Sequence, residues 1–436
     1  MHVAALTMRS SLVLGITAAA TGALISGCCT HGALDTSFGT GGVVTADGGS
    51  IEAGANAVAI PGDGKIVAGG YNVSAGGDPD FAVARLALGG ELDSTFGGSG
   101  FVVTALSPHT DIVKSIAIQG DGKIVAAGYT GPDVNADFAL ARYTEDGVLD
   151  LDFGSGGVVT TSLGPSADVA TSVALQADGR LVVAGHSSIG VGSEFALARY
   201  MPNGTLDASF NGSGIVKTAL GGSGTFYAVA VQSNGKIVAA GSYRGASGSS
   251  DTVVARFSPD GVPDPTFDGD GFAFTAVSPQ NDQAESLAIQ SDGRIVVGGT
   301  SDGVGGDDFT MVRYTPDGNL DPSFGIGGIV QTQTPALDDS IFSVAVRPDG
   351  KLLTAGHRDG ADGFEQIALA RYQANGSLDS SFGDNGFSIS HFDIESLPYS
   401  IALQQDGKFV IAGQLTLPDQ TADFVILRYL DGSCCK

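Results

Sequence analysis

The stretch that decides the fold is residues 115–128, which read SIAIQGDGKIVAAG. Two short runs rich in β-branched and apolar residues flank the dipeptide Asp121-Gly122. An Asp-Gly pair between two such runs is the strongest short-range signal for a β-hairpin. The stretch therefore predicts two antiparallel strands joined by a tight turn.

The hairpin belongs to a unit that is repeated along the chain. Its turn recurs every 56 to 58 residues, at Asp63-Gly64, Asp178-Gly179, Asn234-Gly235, Asp292-Gly293, Asp349-Gly350 and Asp406-Gly407. Each unit also holds an apolar run such as Phe138 to Tyr143, a Leu-Asp-x-x-Phe motif and a last short run such as Gly157 to Thr160. Four antiparallel strands in each of seven units predict an all-β, seven-bladed β-propeller. The alternative, a β-helix, usually has coils of about 20 residues and no hairpin turn in every unit.

The ends of the chain complement each other. The last unit stops after its third run, residues 424–429, whereas an unpartnered run, Gly42 to Thr45, precedes the first complete unit. We predict that Gly42 to Thr45 is the outermost strand of the seventh blade and closes the ring. Closure removes the free edges that an open array of strands would expose.

The repeated pattern Ile-Ala-Ile-Gln-x-Asp-Gly-Lys-Ile-Val, followed by Phe-Ala-Leu-Ala-Arg-Tyr and Gly-x-Leu-Asp-x-x-Phe-Gly, resembles the delta-60 repeat, a bacterial tandem β-propeller repeat. The resemblance covers about residues 34–430 and departs from the pattern at Thr252, Ile367 and Pro263. It implies a secreted or envelope protein and brings no activity or site residues with it.

The first residues are typical of an export signal. A run of 14 uncharged residues, Leu12 to Ile25, follows Arg9, which is too short for a membrane span but suits a signal peptide. The following Leu-Ile-Ser-Gly-Cys28 resembles the lipobox of bacterial lipoproteins, with an ordinary secretory signal as the alternative. We therefore expect a lipoprotein signal peptide over residues 1–27, lipidation at Cys28, a tether over residues 28–33 and a single propeller over residues 34–436. Either Met1 or Met8 fits as the start, and the absence of Asp at position 29 favours the outer membrane.

Charge restricts the partners. Asp and Glu number 47 against 21 Lys and Arg, a formal net charge of −26, which disfavours nucleic acid and anionic lipid headgroups. Membrane attachment is then expected through the lipid anchor only, and we expect a monomer whose partner is a protein or a glycan.

An arginine and an aspartate recur in step, eight residues apart. Period-two alternation places the arginine at the end of a largely buried strand, where its charge requires a partner. We predict structural ion pairs in all units, for example Arg142 with Asp150, Arg199 with Asp207, and Arg313 with Asp321. The alternative is that these residues form seven ligand sites.

One position, directly after the predicted second strand of each unit, always carries a side chain able to hydrogen-bond. We predict a polar binding rim formed by Tyr71, Tyr129, His186, Ser242, Thr300, His357 and Gln414. His186 and His357 lie three units apart, so on a seven-bladed ring they are too distant to share one metal ion.

Metal and catalytic motifs are few. Asp268 and Asp270 suggest calcium, but the twelve-residue loop with a terminal Glu is missing and turn chemistry explains both residues. No other cofactor is expected. The sequence has no Gly-x-Ser-x-Gly or His-Glu-x-x-His motif, so no catalytic residue is predicted.

The four cysteines lie near the two ends of the chain. With Cys28 lipidated, ring closure would allow a disulfide from Cys29 to Cys434 or Cys435, whereas a bond between Cys434 and Cys435, or free thiols, are the alternatives.

The loops between second and third strands differ from unit to unit, and divergent loops on a rigid scaffold are common recognition sites. The resulting hypothesis is a lipid-anchored envelope propeller that binds or scaffolds a protein or glycan through outward loops. The alternatives are a hydrolase or lyase with its site at the channel mouth, and a purely structural envelope protein.

Overall fold

The chain forms a closed ring of seven four-stranded antiparallel sheets. The computed structural model describes residues 31–431 apart from residues 47, 76, 247, 304–305, 334–337, 361, 393 and 417–420. The strands, in chain order, are β1 Val43–Ala46, β2 Glu52–Ala59, β3 Ile66–Val73, β4 Pro79–Leu86, β5 Phe101–Thr104, β6 Asp111–Ile118, β7 Ile124–Thr130, β8 Asp137–Tyr143, β9 Val158–Thr161, β10 Asp168–Leu175, β11 Leu181–Ser188, β12 Ser193–Tyr200, β13 Ile215–Thr218, β14 Ser223–Val231, β15 Ile237–Arg244, β16 Ser250–Phe257, β17 Phe272–Thr275, β18 Asp282–Ile289, β19 Ile295–Gly303, β20 Gly306–Tyr314, β21 Ile329–Thr332, β22 Asp339–Val346, β23 Leu352–Asp359, β24 Glu365–Tyr372, β25 Phe387–Ser390, β26 Glu395–Leu403, β27 Phe409–Thr416 and β28 Ala422–Tyr429.

Each sheet is one blade, and the predicted seven-bladed propeller is confirmed. Blades 1 to 6 are β2–β5, β6–β9, β10–β13, β14–β17, β18–β21 and β22–β25, and blade 7 is β26–β28 with β1. The first strand of every blade contacts the first strands of both neighbouring blades, so these seven strands form the innermost ring around the central channel.

The amino-terminal strand closes the ring as predicted. β1 pairs antiparallel with β28, with Val43 opposite Leu427 and Thr45 opposite Val425. The strand runs from residue 43 to 46, one residue later than the sequence indicated. The amide of Arg428 donates to the carbonyl of Gly42, but the amide of Gly42 donates to the carbonyl of Phe38 in the preceding loop, so Gly42 is not part of the regular ladder. Head and tail are thereby held in one sheet.

Blades pack through alternating large and small side chains. Phe138 and Leu140 of β8 pack against Ala196 and Ala198 of blade 3, whereas Ala139 and Ala141 pack against blade 1. The small face of each third strand lets the next blade approach closely, as the period-two alternation of the sequence predicts.

Antiparallel up-and-down strands place the connections on two opposite faces. The turns between first and second strands and the Leu-Asp-x-x-Phe loops between third and fourth strands share one face, here called the recurrent face. The loops between second and third strands, with those joining consecutive blades, form the divergent face. The one described helix is a single turn on the divergent face, Asp133–Asn135. No described helix has the length and hydrophobicity to cross a membrane.

Candidate functional site at the channel mouth

A β-bulge interrupts the first strand of every blade at the same place. In blade 2 the pairing of β6 with β7 shifts between Val113 and Ser115, leaving Lys114 as the extra residue. A bulge re-aims one side chain and is common beside functional sites. The equivalent extra residues are Asn56, Thr171, Tyr227, Glu285, Phe342 and Tyr399.

A glycine of the second strand lies opposite each bulge. A Cβ atom on Gly128 would lie 1.9 Å from the carbonyl oxygen of Ile112, so no other residue fits there. The equivalent glycines, whose Cβ atoms would meet a carbonyl oxygen in the same way, are Gly70, Gly185, Gly241, Gly299, Gly356 and Gly413. This recurring glycine inside a strand is the sequence signal that could have located the bulge.

The seven bulge residues, here called the bulge ring, surround the channel. Lys114 and Glu285 interact electrostatically although they belong to blades 2 and 5, which lie on opposite sides of the ring. Their interaction therefore crosses the central channel. The strands repeat closely elsewhere, yet this position holds an amide, an ammonium, a hydroxyl, a carboxylate and three aromatic rings.

Three adjacent blades bring aromatic side chains together at the channel mouth. The Phe342 ring stacks on the His357 ring with centroids 5.2 Å apart, and its centroid lies 5.7 Å from that of Tyr399. Tyr71 donates its hydroxyl hydrogen to Glu52 Oε1 at 3.0 Å, and the Tyr399 hydroxyl lies 3.5 Å from Gln414 Oε1. These residues, all from blades 6, 7 and 1, are here called the mouth cluster: Glu52, Tyr71, Phe342, His357, Tyr399 and Gln414.

The aromatic members of the mouth cluster are uncharged at neutral pH. Burial, reinforced by Glu365 and Glu395, raises the pKa of Tyr399 to about 12. Burial lowers the pKa of His357 below its ordinary value, so the imidazole is neutral, and its buried Nδ1 has no hydrogen-bond partner among the described residues. The cluster thus offers apolar ring faces with hydrogen-bonding groups at their edges.

The predicted rim residues occupy one equivalent position in the second strand of each blade. They lie inside the second strands rather than directly after them, as Tyr71 in β3 shows, so that part of the prediction is wrong. The second strand continues past its glycine because the first strand extends equally far beyond the bulge, with Gly54 paired to Tyr71. The structure brings Tyr71, His357 and Gln414 into the mouth cluster.

The other four rim residues lie apart from the mouth cluster. Thr300 donates to Ser340 Oγ of the next blade at 2.7 Å, and Ser242 hydrogen-bonds Tyr227 of its own blade. Burial lowers the pKa of His186 and raises that of Tyr129. These four residues lie in blades 2 to 5.

The recurrent face holds the arginine and aspartate of every unit in contact. In blade 2, Arg142 Nε donates to Asp150 Oδ2 at 2.7 Å, and Lys123 Nζ lies 2.9 Å from the same oxygen. The Arg142 guanidinium lies 4.5 Å from the centroid of the Phe153 ring and also donates to the carbonyl of Pro202 in blade 3. Equivalent contacts join Arg199 to Asp207 at 2.8 Å and Arg313 to Asp321 at 2.9 Å. The geometry joins each loop to its own blade and to the next one.

Ring closure modifies this unit in blade 6. Where the other arginines donate to a backbone carbonyl of the next blade, Arg371 donates to the carboxylate of Asp431, which Arg347 also contacts. His31 Nδ1 lies 4.0 Å from Asp431 Oδ1. The first and last described residues therefore lie together on the recurrent face.

Several predicted features lie outside the described residues or take other roles. Cys28, Cys29, Cys434 and Cys435 lie outside the described part of the chain, as does the predicted signal peptide. Asp270 accepts a bond from the amide of Phe272, and Asp268 has a left-handed backbone with φ of 49°. Both act in a turn, and the described residues contain no group of three or more His, Cys, Asp or Glu suited to a metal ion.

Comparison with known families supports the repeat. The family described as a domain of unknown function (DUF5122) β-propeller matches residues 62–96, 119–153, 176–210, 232–267, 290–324 and 347–382. These six segments of the chain are similar to the repeats of that family, which has no known function. The matched segments leave out the seventh unit, whose elements stand at opposite ends of the chain. No curated protein matches the sequence.

Solved structures with the same architecture are distant in sequence. Virginiamycin B lyase from Staphylococcus aureus, solved as an inactive variant with quinupristin, has 12% identity and a TM-score of 0.49 over 88% of this chain and 98% of that one. Sqt1 from Chaetomium thermophilum, bound to the N-terminus of ribosomal protein L10, has 14% identity and a TM-score of 0.47 over 87% and 97%. A polysaccharide lyase of family PL25, an ulvan lyase, has 13% identity and a TM-score of 0.49 over 88% and 96%. These likenesses concern the fold alone.

Proposed function

We propose that this propeller is a binding module that recognises a glycan at its channel mouth. The observation that carries the proposal is the mouth cluster, in which neutral aromatic rings lie beside carboxylate and amide oxygens. Apolar ring faces stack on the flat C–H faces of sugars, and oxygen acceptors at their edges bind hydroxyl groups.

The asymmetry of the mouth supports binding more than a structural role. A ring held together by its repeats needs the same side chain in every blade, as the recurrent face shows. At the mouth, Tyr71, Phe342 and Tyr399 gather on one side, whereas the bulge residues of blades 2 and 3 are Lys114 and Thr171. One side of the channel thus has side chains that differ from those of the other side, although the strands around it are repeats.

A glycan suits this site better than a folded protein partner. A stable protein interface buries about 800 Å² on each partner, over about 20 to 30 residues. The mouth cluster is a compact group of six residues around a channel, which suits a few sugar rings. The divergent loops around the mouth can supply further contacts to a longer chain.

An array of neutral and acidic oligosaccharides, followed by calorimetry on those that bind, tests the proposal. Tyr399→Ala is expected to weaken binding by about tenfold through loss of one stacking surface. Tyr227→Ala is the matched control, because Tyr227 occupies the bulge position of Tyr399 in blade 4, outside the mouth cluster. Absence of binding to every oligosaccharide, or equal effects of the two substitutions, would contradict the proposal. Capture of a protein by the same surface would favour the alternative partner.

We further propose that the module is anchored to the outer membrane through lipidated Cys28. In support, His31 and Asp431 lie on the recurrent face, so a tether that ends at His31 approaches from that side. The divergent face with the channel mouth then points away from the membrane. Incorporation of labelled palmitate, abolished by Cys28→Ser, is the expected result, and soluble unlabelled protein would contradict it.

A further inference from the structure

The lysine and arginine side chains that follow the hairpin turns on the recurrent face all form ion pairs. The lysine or arginine that follows each hairpin turn contacts the aspartate of the same unit, at distances from 2.7 to 3.0 Å. These pairs are Lys65–Asp93, Lys123–Asp150, Arg180–Asp207, Lys236–Asp264, Arg294–Asp321, Lys351–Asp379 and Lys408–Asp35. Each of these cations therefore already has a carboxylate partner.

Lys114 of the bulge ring differs from these cations. Among the described residues, its ammonium makes neither a hydrogen bond nor a salt bridge. Its side chain is accessible to water along the channel, yet the surrounding walls lower its pKa, and the distant carboxylate of Glu285 opposes that shift. It is the one lysine or arginine of the bulge ring, and its charge is directed into the channel.

Glu285 compensates this charge only in part. Its carboxylate accepts a hydrogen bond from the side-chain amide of Gln283. Burial raises the pKa of Glu285, which favours the neutral acid, while Gln283 and Lys114 act in the opposite direction. Among the described residues, no carboxylate is within salt-bridge distance of the Lys114 ammonium.

The position of Lys114 relates it to the mouth cluster. Blade 2, which carries Lys114, adjoins blade 1 with Tyr71, and the side-chain amide of Asn56 in blade 1 donates to the carbonyl of Val113 at 2.7 Å. The ammonium and the aromatic wall thus border the same channel from neighbouring blades. A sugar ring on the wall can direct a substituent toward the ammonium.

We propose that Lys114 is an anion subsite that binds the carboxylate of an acidic sugar whose ring lies on the mouth cluster. This inference rests on the proposed glycan binding and specifies its ligand class as a uronate-containing glycan. A charge-assisted bond between an ammonium and a carboxylate is among the stronger hydrogen bonds in proteins. The acidic surface of the protein repels polyanions in general, so an isolated cation inside the channel selects for a single carboxylate placed beside a sugar ring.

The test compares two probes by calorimetry at low salt: a β-linked oligosaccharide containing glucuronate, and the same oligosaccharide with its carboxyl groups reduced to alcohols. The wild-type protein is expected to bind the carboxylated probe about tenfold more tightly. Lys114→Met should abolish this preference and leave binding of the reduced probe unchanged, whereas Lys114→Arg should retain the preference. Glu285→Gln should strengthen binding of the carboxylated probe, because a competing carboxylate is removed.

Lys217→Met is the matched control. Lys217 lies on the outer strand β13 and pairs with Glu194 at 3.4 Å, so its loss should not change the preference. Unchanged thermal unfolding of Lys114→Met shows that the fold is intact. Equal binding of both probes by the wild type, or a preference that survives Lys114→Met, overturns the anion subsite while glycan binding stands. Failure of both probes to bind overturns the proposed function as well.

Discussion

The recurrent face and the channel mouth are built by the same seven units, yet the recurrent face has the same contacts in every blade and the channel mouth does not. On the recurrent face, each arginine donates to its aspartate and lies over its phenylalanine, with guanidinium-to-ring distances between 4.4 and 5.0 Å in all seven blades. At the mouth, one equivalent position holds Asn56, Lys114, Thr171, Tyr227, Glu285, Phe342 and Tyr399. The identical contacts on the recurrent face join the blades into a ring. The different side chains at the bulge position make the blades chemically distinct around the channel.

The two regions also differ in how their polar groups are satisfied. Asp207 on the recurrent face accepts bonds from Arg199, Arg180 and Ser209. At the mouth, Lys114 has no bonded partner and His357 Nδ1 is unpaired among the described residues. Polar groups whose hydrogen bonds are all made within the protein stabilise the fold, whereas polar groups without a partner in a channel are available to bind a ligand.

The largest expected effect is on the recurrent face. Arg199→Met removes the buried partner of Asp207 and should lower the free energy of unfolding by about 3 to 5 kcal/mol, measured by urea denaturation. Arg180→Met, which removes the partly exposed arginine bound to the same aspartate, should cost only about 0 to 1 kcal/mol. Equal losses in the two variants would contradict a structural role that depends on burial.

Acid should weaken the recurrent face. Burial alone would raise the pKa of Asp207, but hydrogen bonds from Ser209 and the charges of Arg199 and Arg180 outweigh it and hold the pKa at about 2. Asp35 and Asp321 have pKa values of about 2 through the same kind of contacts.

The pH dependence follows from the sign of these shifts. An unfolded aspartate has a pKa of about 3.9, so the folded carboxylates bind protons less readily and contribute stability above that pH. This stability should be lost as the pH falls from about 4 to 2. Urea unfolding at a series of pH values measures the loss, and Arg199→Met should flatten the curve. A stability that is constant across this range would contradict the assignment.

A smaller effect than that of Arg199→Met is expected in the inner ring of first strands. Ser115 Oγ accepts a hydrogen bond from the amide of Val173 in the next blade at 3.2 Å, and Ser172, Ser286, Ser343 and Ser400 repeat this contact. Ser115→Ala should cost about 0.5 to 1.5 kcal/mol.

The reverse substitution, alanine to serine, can be made at the equivalent position of blade 4. Ala228, like Ala57 of blade 1, stands where the other five blades have serine, so Ala228→Ser should stabilise the ring by a similar or smaller amount. Thermal unfolding of both variants is the measurement. A destabilising Ala228→Ser would show that the hydroxyl does not reach the next blade.

The fold followed from the sequence because its signals are local and repeated. Asp121-Gly122 specifies a hairpin within a few residues, and seven copies at one spacing leave few alternatives to a ring. Pairing of residues 42–45 with the last blade also followed, since only that strand completes the final sheet. The boundaries shifted slightly where a neighbouring strand, rather than the local sequence, sets the end of the ladder.

The site was predicted only in part, for physical reasons. The rim residues were located by their repeat position, but contact between Phe342 and Tyr399 depends on the inward direction that a bulge gives to each side chain. That direction is a property of two strands together, and the recurring Gly128 position was its only local trace. The interaction of Lys114 with Glu285 crosses the channel and has no counterpart in sequence spacing.

A crystal structure of the protein with the glucuronate-containing oligosaccharide would show whether the sugar binds at the channel mouth. We predict a sugar ring stacked on Phe342 or Tyr399, with its carboxylate within hydrogen-bond distance of Lys114 Nζ. Sugar bound to the repeated loops of the recurrent face, with the channel mouth empty, would contradict the account.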